Sequence, residues 1–180
     1  MRQVKGSMFI MFVKAIKADK KGTFDKFLTD KDREVLSKLI LSSGWYPYET
    51  YKNCFLGVSQ VIAGNNAKTL KDWGRMYGEE SITTIYKSVL LKKDPRAAIE
   101  EYQRIFKNQF DFGRMEAAMI SDNEMTVAVK DFDKDFEPWY YVAQGWIERI
   151  IQLVIKKPVR SEIVARSWTG APATVFKLNW

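Results

Sequence analysis

Gly145-Trp146-Ile147-Glu148-Arg149 lies in a helical stretch that opens after Pro138, and beyond Lys157-Pro158 come two strand-like runs, Val159 to Trp168 and Ala173 to Trp180. On that helix Trp139, Ala143, Trp146, Ile147, Ile150 and Val154 recur at helical spacing, which predicts a buried face with Gln144, Glu148, Gln152 and Lys156 turned to water. The last run alternates, placing Phe176, Leu178 and Trp180 on one face. Upstream, from Arg114, the period is again two. Met115, Ala117 and Met119 precede a turn at Asp122-Asn123, and Met125, Val127 and Val129 follow it, as a hairpin requires. Two hairpins separated by one long helix predict an antiparallel sheet of four strands or more.

The N-terminal half reads as helical. After a start signal at Gly6-Ser7, the residues Met8, Phe12, Ala15 and Ile16 form a stripe that Phe9 and Val13 widen. Thr29-Asp30 predicts a cap for a helix from Lys31 to Leu41, with Val35, Leu36, Leu39 and Ile40 inward. Trp45-Tyr46-Pro47-Tyr48 leads into a helix ending near Gly64, with Tyr48, Tyr51, Phe55, Val58 and Ile62 on its apolar side. A longer helix is expected from Ala67 to Leu91, and another from Asp94-Pro95 to just before Phe110. The fold class is therefore α+β, a helical N-terminal half packed on an antiparallel sheet built from two hairpins and a long helix between them.

At 180 residues with 46% apolar content, the chain can bury roughly two thirds of the surface its unfolded form exposes, so one domain, residues 1–180, is expected. The formal charge of +7 arises from 29 basic and 22 acidic side chains that interleave, including Lys92-Lys93 and Lys156-Lys157. No continuous stripe suited to a phosphate backbone results, and no nucleic-acid partner is expected. The apolar run Met8 to Val13 is too short for a membrane span, which needs about 20 residues, and lacks a signal-peptide cleavage pattern. A cytoplasmic protein is expected.

There is no histidine and one cysteine, Cys54. A Ser-His-Asp triad, a Cys-His dyad, a histidine-ligated haem and a histidine- or cysteine-built zinc or iron-sulfur site all need residues this chain lacks. No cofactor and no enzymatic activity are expected. Asp131-Phe132-Asp133-Lys134-Asp135 has the alternating carboxylates of a calcium loop, but Phe136 stands where that loop needs glycine and Val142 where it needs glutamate. It reads as a solvated link whose acids favour the N-terminus of the next helix. Gly74 and Gly78, one helical turn apart, point to a close helix contact or to space for a ligand.

Ser43-Gly44-Trp45-Tyr46-Pro47, Trp73-Gly74-Arg75, Phe110-Asp111-Phe112-Gly113-Arg114, Gly145 to Arg149 and Gly170 to Trp180 carry, by their order, a resemblance to the four-vinyl-reductase-like small-ligand-binding domains. That resemblance implies a fold group shared with haem nitric-oxide sensors, Golgi trafficking-complex subunits and aromatic-effector sensors, with a pocket between helices and sheet. The haem sensors use a proximal histidine, which this chain lacks, and metal-binding relatives place cysteines roughly where Arg166 and Thr174 stand. The implied function is a non-enzymatic small-molecule-binding or sensory module for an apolar or aromatic ligand. The alternative is a homodimeric protein-interaction scaffold without ligand, or one engaging a signalling partner. Trp45, Tyr48, Tyr51, Phe55, Trp73, Tyr77, Trp139 and Trp146 are the ring side chains expected to line a pocket, against the plainer reading of the same rings as core.

Overall fold

The computed structural model describes residues 1–92 and 94–180, so half of the Lys92-Lys93 pair lies outside the described residues. Its contacts divide the chain into two compact units, residues 1–66 with 108–112, and residues 67–107 with 113–180. The α+β class is observed.

In the first unit, strands β1 (Gln3–Lys5) and β2 (Trp45–Pro47) form an antiparallel ribbon with Val4 opposite Tyr46. The ribbon replaces the plain lead-in expected at Trp45, because the partner strand lies forty residues away and is too short to announce itself by alternation. Helix α1 (Ile10–Ala18) follows a 3-10 turn at Gly6–Met8, and Phe9 and Val13 are buried. Helix α2 (Asp30–Ser37) starts on a capping box: the Asp32 amide donates to Thr29 Oγ1 at 3.2 Å, and the Thr29 amide donates to the Asp32 carboxylate at 2.9 Å. Burial works against the Asp32 charge, but donors from Asn53, Thr29 and Thr50 hold its pKa below the usual carboxylate value. Thr29→Ala is expected to cost about 1 kcal/mol, read as a lower urea midpoint at unchanged slope.

α2 ends at Ser37, four residues before the expected Leu41. Ser37 Oγ donates to the Glu34 carbonyl at 2.8 Å, and Lys38 turns extended at ψ 164°. Leu39, expected inward, is 80% exposed. Helix α3 (Tyr48–Ala63) begins after Pro47 and ends on Gly64 at φ 57°, close to expectation, although Ile62 faces outward.

In the second unit, helix α4 (Ala67–Thr84) is shorter than expected. Thr83 and Thr84 return their hydroxyls to the Glu79 and Glu80 carbonyls, and the amides of Ile85 and Tyr86 both reach back to the Ser81 carbonyl. The β-branched run 82–85 resists another regular turn, and a 3-10 turn at Lys87–Leu91 buries Val89 instead. Helix α5 (Pro95–Gln109) starts on Asp94, whose carboxylate accepts from the amides of Arg96 and Ala97.

The sheet follows, with β3 (Arg114–Ser121) and β4 (Glu124–Lys130), then helix α6 (Glu137–Ile155), then β5 (Arg160–Ala165) and β6 (Thr174–Asn179). Strand order is β3-β4-β6-β5, antiparallel throughout. Val127 opposes both Ala117 and Phe176, and Met125 opposes Leu178. The inner face carries Met115, Met125, Val127, Val129, Phe176 and Leu178, all buried, each contributing about 1.5–3 kcal/mol by leaving water.

Two glycines bring α4 and α6 into backbone contact. A Cβ on Gly74 would lie 2.0 Å from the Val142 carbonyl oxygen, and one on Gly145 would lie 1.9 Å from that of Lys71. That crossing is the helix contact anticipated for Gly74. It also carries a correction: Gln144 and Glu148, expected toward water, are 7% and 3% exposed. The close approach places α4 over that side of α6, and the two polar groups are buried because partners from α4 and β5 reach them. No helix among the described residues is long and apolar enough to cross a membrane.

Candidate functional site

The expected pocket residues fall into two sets. In the first unit Tyr48, Tyr51 and Phe55 are buried on α3, and their rings touch those of Phe9, Phe12, Phe110 and Phe112, with Tyr48 and Phe112 edge to face at 4.7 Å. Trp45 stands apart from them, 39% exposed on β2, with the Lys5 ammonium 4.2 Å above its ring. In the second unit Trp73 and Tyr77 lie half-buried on α4, while Trp139 and Trp146 are buried on α6. Trp146 lies against Tyr102 of α5 at 4.1 Å, and Trp139 against Phe132 at 4.4 Å. Burial pushes the Tyr102 phenol up, so it stays protonated at neutral pH.

The second unit also contains a cleft of about 440 Å³, built from two segments that sequence reasoning left apart. One wall is the link from β4 to α6, where Asp131 takes φ 53°, a left-handed conformation that a short acidic side chain tolerates. The other wall is the connection from β5 to β6, a 3-10 turn at Ser167–Thr169 followed by Gly170 at φ 101°, where a side chain would be strained. Asp131, Phe132, Lys134 and Asp135 line the first wall, and Trp168 and Gly170 to Ala173 the second. Tyr140 and Ser167 lie between them.

The cleft has an aromatic platform and a hydroxyl floor. Trp168 stacks on Tyr140 at 5.2 Å and 27°, and the Tyr141 ring meets its edge at 6.0 Å. The Tyr140 hydroxyl donates to the Asp133 carbonyl at 3.0 Å, while Ser167 Oγ and Thr174 Oγ1 lie 2.8 Å apart. Burial raises the Tyr140 pKa against the opposing hydrogen bonds of Ser167 and Thr174. Tyr141 is pushed up to about 12 by desolvation and by its hydrogen bond to the Glu137 carboxylate at 2.6 Å. These phenols therefore stay neutral near pH 7, their protons committed to the Asp133 carbonyl and the Glu137 carboxylate. Asp131 is ion-paired with Arg114, which also holds Glu116, and the Asp131 and Arg114 side chains are both exposed. The lining thus combines a ring pair, hydroxyls and charged side chains in one concave surface.

Asp131 to Asp135 was legible in the sequence only as a solvated link. Trp168, Tyr140 and Ser167 were missed, and the available signal was a bulky ring beside the turn that closes at Gly170.

No protein-family model and no curated protein matches this chain. Solved structures do. The chain is similar to the Fe(II) unliganded H-NOX protein from K. algicida, with 13% identity over 97% of this chain and 95% of that one at a TM-score of 0.68. It is similar to the H-NOX protein from S. oneidensis in the Fe(II)NO state, with 11% identity, 97% and 98% coverage and a TM-score of 0.67. A third likeness, at 13% identity, 97% and 94% coverage and a TM-score of 0.61, is to an oxygen-binding H-NOX domain related to soluble guanylate cyclases. The chain has the H-NOX fold.

Its donor set does not fit a histidine- or thiolate-ligated haem. The sequence contains no histidine. Cys54 is fully buried on α3, where desolvation, with the nearby Asp32 charge, pushes its thiol up to about 12 and keeps it neutral. Among the described residues no three His, Cys, Asp or Glu side chains gather as metal ligands.

Proposed function

We propose that this chain is a non-enzymatic small-molecule-binding module of sensory type, built on the H-NOX fold and taking an apolar or aromatic organic ligand where H-NOX proteins take haem. The observation that carries the reading is the coincidence of an H-NOX-like fold across 97% of the chain with a complete lack of histidine. The same coverage supports treating residues 1–180 as one ligand-binding domain, and the motif order noted above supports a place among the four-vinyl-reductase-like domains. Fold likeness raises a prior for binding and says nothing of the ligand, so the chemistry is argued from side chains. Apolar contact area is proposed within each unit by itself, from Tyr48, Tyr51 and Phe55 with the exposed Trp45 in the first, and from Trp73, Tyr77, Trp139 and Trp146 in the second. The cleft at Trp168 supplies a stacking face beside hydroxyl groups.

Denaturing extraction of the purified protein followed by mass spectrometry tests the reading. A co-purifying aromatic or apolar compound at near-stoichiometric yield is expected. Loss of one aromatic stacking contact is worth about 1 kcal/mol or more, so Trp168→Ala is expected to reduce retention severalfold if the cleft holds that compound. Extracts indistinguishable from those of an unrelated control protein would count against the reading.

A further inference from the structure

We propose that the N-terminal unit docks on an anionic lipid surface through the loop that joins α2 to β2. After α2 the chain turns extended at Lys38 and then bends through a turn at 41–44, where the Gly44 amide donates to the Leu41 carbonyl at 3.1 Å, and it is held at both ends. Lys17 Nζ of α1 donates to the Lys38 carbonyl at 3.4 Å. At the other end the amides of Ser7 and Gly6 donate to the carbonyls of Ser42 and Gly44, both at 3.0 Å, and Lys5 Nζ donates to the Ser43 carbonyl at 2.9 Å. The Leu41 amide donates to the Tyr46 hydroxyl at 2.8 Å, which fixes the middle.

The loop thereby presents apolar side chains outward. Leu39 is 80% exposed, Leu41 55% and Trp45 39%. The backbone tethers lie on either side of Leu39 and at Leu41 itself. Lysines frame them: Lys17 and Lys38 at one end, and Lys5 at the other, its ammonium above the Trp45 ring. Glu34 pairs with Lys38 at 3.2 Å, an exposed pair with both side chains over two thirds accessible, and so offers little resistance to a competing surface. The unit as a whole, residues 1–66 with 108–112, holds eleven basic and seven acidic side chains, a net charge of +4.

Protruding leucines, a tryptophan beside them and a lysine frame match the layers of a bilayer surface. The leucines reach the acyl boundary, the indole sits at headgroup depth, and the ammonium groups meet lipid phosphates. A protein partner fits less well. Specific protein interfaces engage about 20–30 residues a side, whereas this loop offers two exposed leucines, with Trp45 at the start of β2. The attraction at range is electrostatic, within roughly a Debye length, and the leucines supply the short-range hold.

Co-sedimentation of the full chain with vesicles tests the proposal, comparing phosphatidylcholine alone with phosphatidylcholine and phosphatidylserine at three to one. Binding to the anionic vesicles alone, weakened severalfold by high salt, is expected. The paired substitution Leu39→Ser with Leu41→Ser is expected to weaken it by at least about tenfold, since it removes the apolar area that would enter the acyl boundary. Lys17→Glu with Lys38→Glu is expected to abolish it. Because all four side chains are exposed, thermal unfolding of these variants reports whether the fold is retained. Absent binding to anionic vesicles, equal binding to both compositions, or binding indifferent to the leucine pair in a folded protein would overturn the proposal. So would a self-association that the leucine pair abolishes while vesicles have no effect, because the loop would then serve a second copy of the chain.

Discussion

Gly145→Val is expected to lower the unfolding free energy by at least about 3 kcal/mol, seen as a fall of roughly 6–12 °C in the thermal midpoint of a protein this size. At this crossing the two helices touch backbone to backbone. The Cβ of any residue at 145 would lie 1.9 Å from the Lys71 carbonyl oxygen, and one at 74 would lie 2.0 Å from that of Val142, with the Trp146 amide 2.9 Å away. Neither clash involves a flexible side-chain tip, so α4 and α6 must separate. Separation loosens Leu70, Ile82 and Ile147, all essentially solvent-free. Gly78 is the internal control. A Cβ there meets the Cα and ring of Trp146 at 3.3 Å, a tight but yielding contact, and alanine gains about 1 kcal/mol of helix propensity. Gly78→Ala is therefore expected near neutrality, while Gly74→Ala and Gly145→Ala are both strongly destabilising. Equal effects at all three positions would contradict the crossing.

Glu148→Ala is expected to cost roughly 3 kcal/mol, at the low end for breaking a buried pair, because one of the cations it leaves is partly solvated. The carboxylate sits on the face of α6 that α4 covers. Lys71 reaches it at 2.8 Å with only 19% of its own side chain exposed, Arg75 forms a second ion pair, and Ser161 of β5 donates its hydroxyl. Gln144 completes the group, its Nε2 donating to the Ser161 carbonyl at 2.9 Å. Arg75 keeps Asp72 at 2.7 Å and some water, but Lys71 loses its carboxylate. Burial by itself disfavours the Glu148 charge, yet the donors from Lys71, Ser161 and Arg75 outweigh it, and the folded-state pKa lies below the ordinary 4.5. The sign follows from linkage. A depressed folded pKa contributes stability that is present above the unfolded value and is lost as pH falls through the folded one. Urea midpoints measured from pH 7 down past pH 4.5 should therefore fall for the wild type, and Glu148→Gln, which has no carboxylate to protonate, should lack that component. Parallel pH profiles for the two proteins would show that Glu148 is not held ionised by its neighbours.

The contrast between these two sites explains how far the sequence could be followed. Periodicity located both hairpins and the extent of α6, and the glycine at 64 marked the end of α3, although the period misassigned Gln144 and Glu148 on α6 and Ile62 on α3. It failed where a local polar bond or a distant partner sets the outcome. Ser37 and the Thr83-Thr84 pair stop their helices through side-chain hydrogen bonds that apolar spacing does not register. Gln144 and Glu148 look like solvent residues by composition, and only Lys71, Arg75 and Ser161, contributed by elements far along the chain, make their burial tolerable. β1 and β2 are three residues each, too short for alternation to show.

The cleft at Trp168 was not legible in the same way: none of the eight rings expected to line a pocket lines it, those rings divide between the two units, and the cleft draws on two links that periodicity ignores. The acidic run 131–135 fails as a calcium loop, since Phe136 and Val142 stand where glycine and glutamate are needed. Its observed place is one wall of a cleft whose opposite wall comes from residues 167–173.

Native mass spectrometry of the chain as purified, recorded with and without added hemin, tests the central claim most directly. The proposed ligand-binding reading, on a chain without histidine, predicts one small organic molecule per chain that denaturation releases, and no stoichiometric haem adduct after hemin is added. A chain that carries haem as purified, or one that is bare in every preparation, would contradict it.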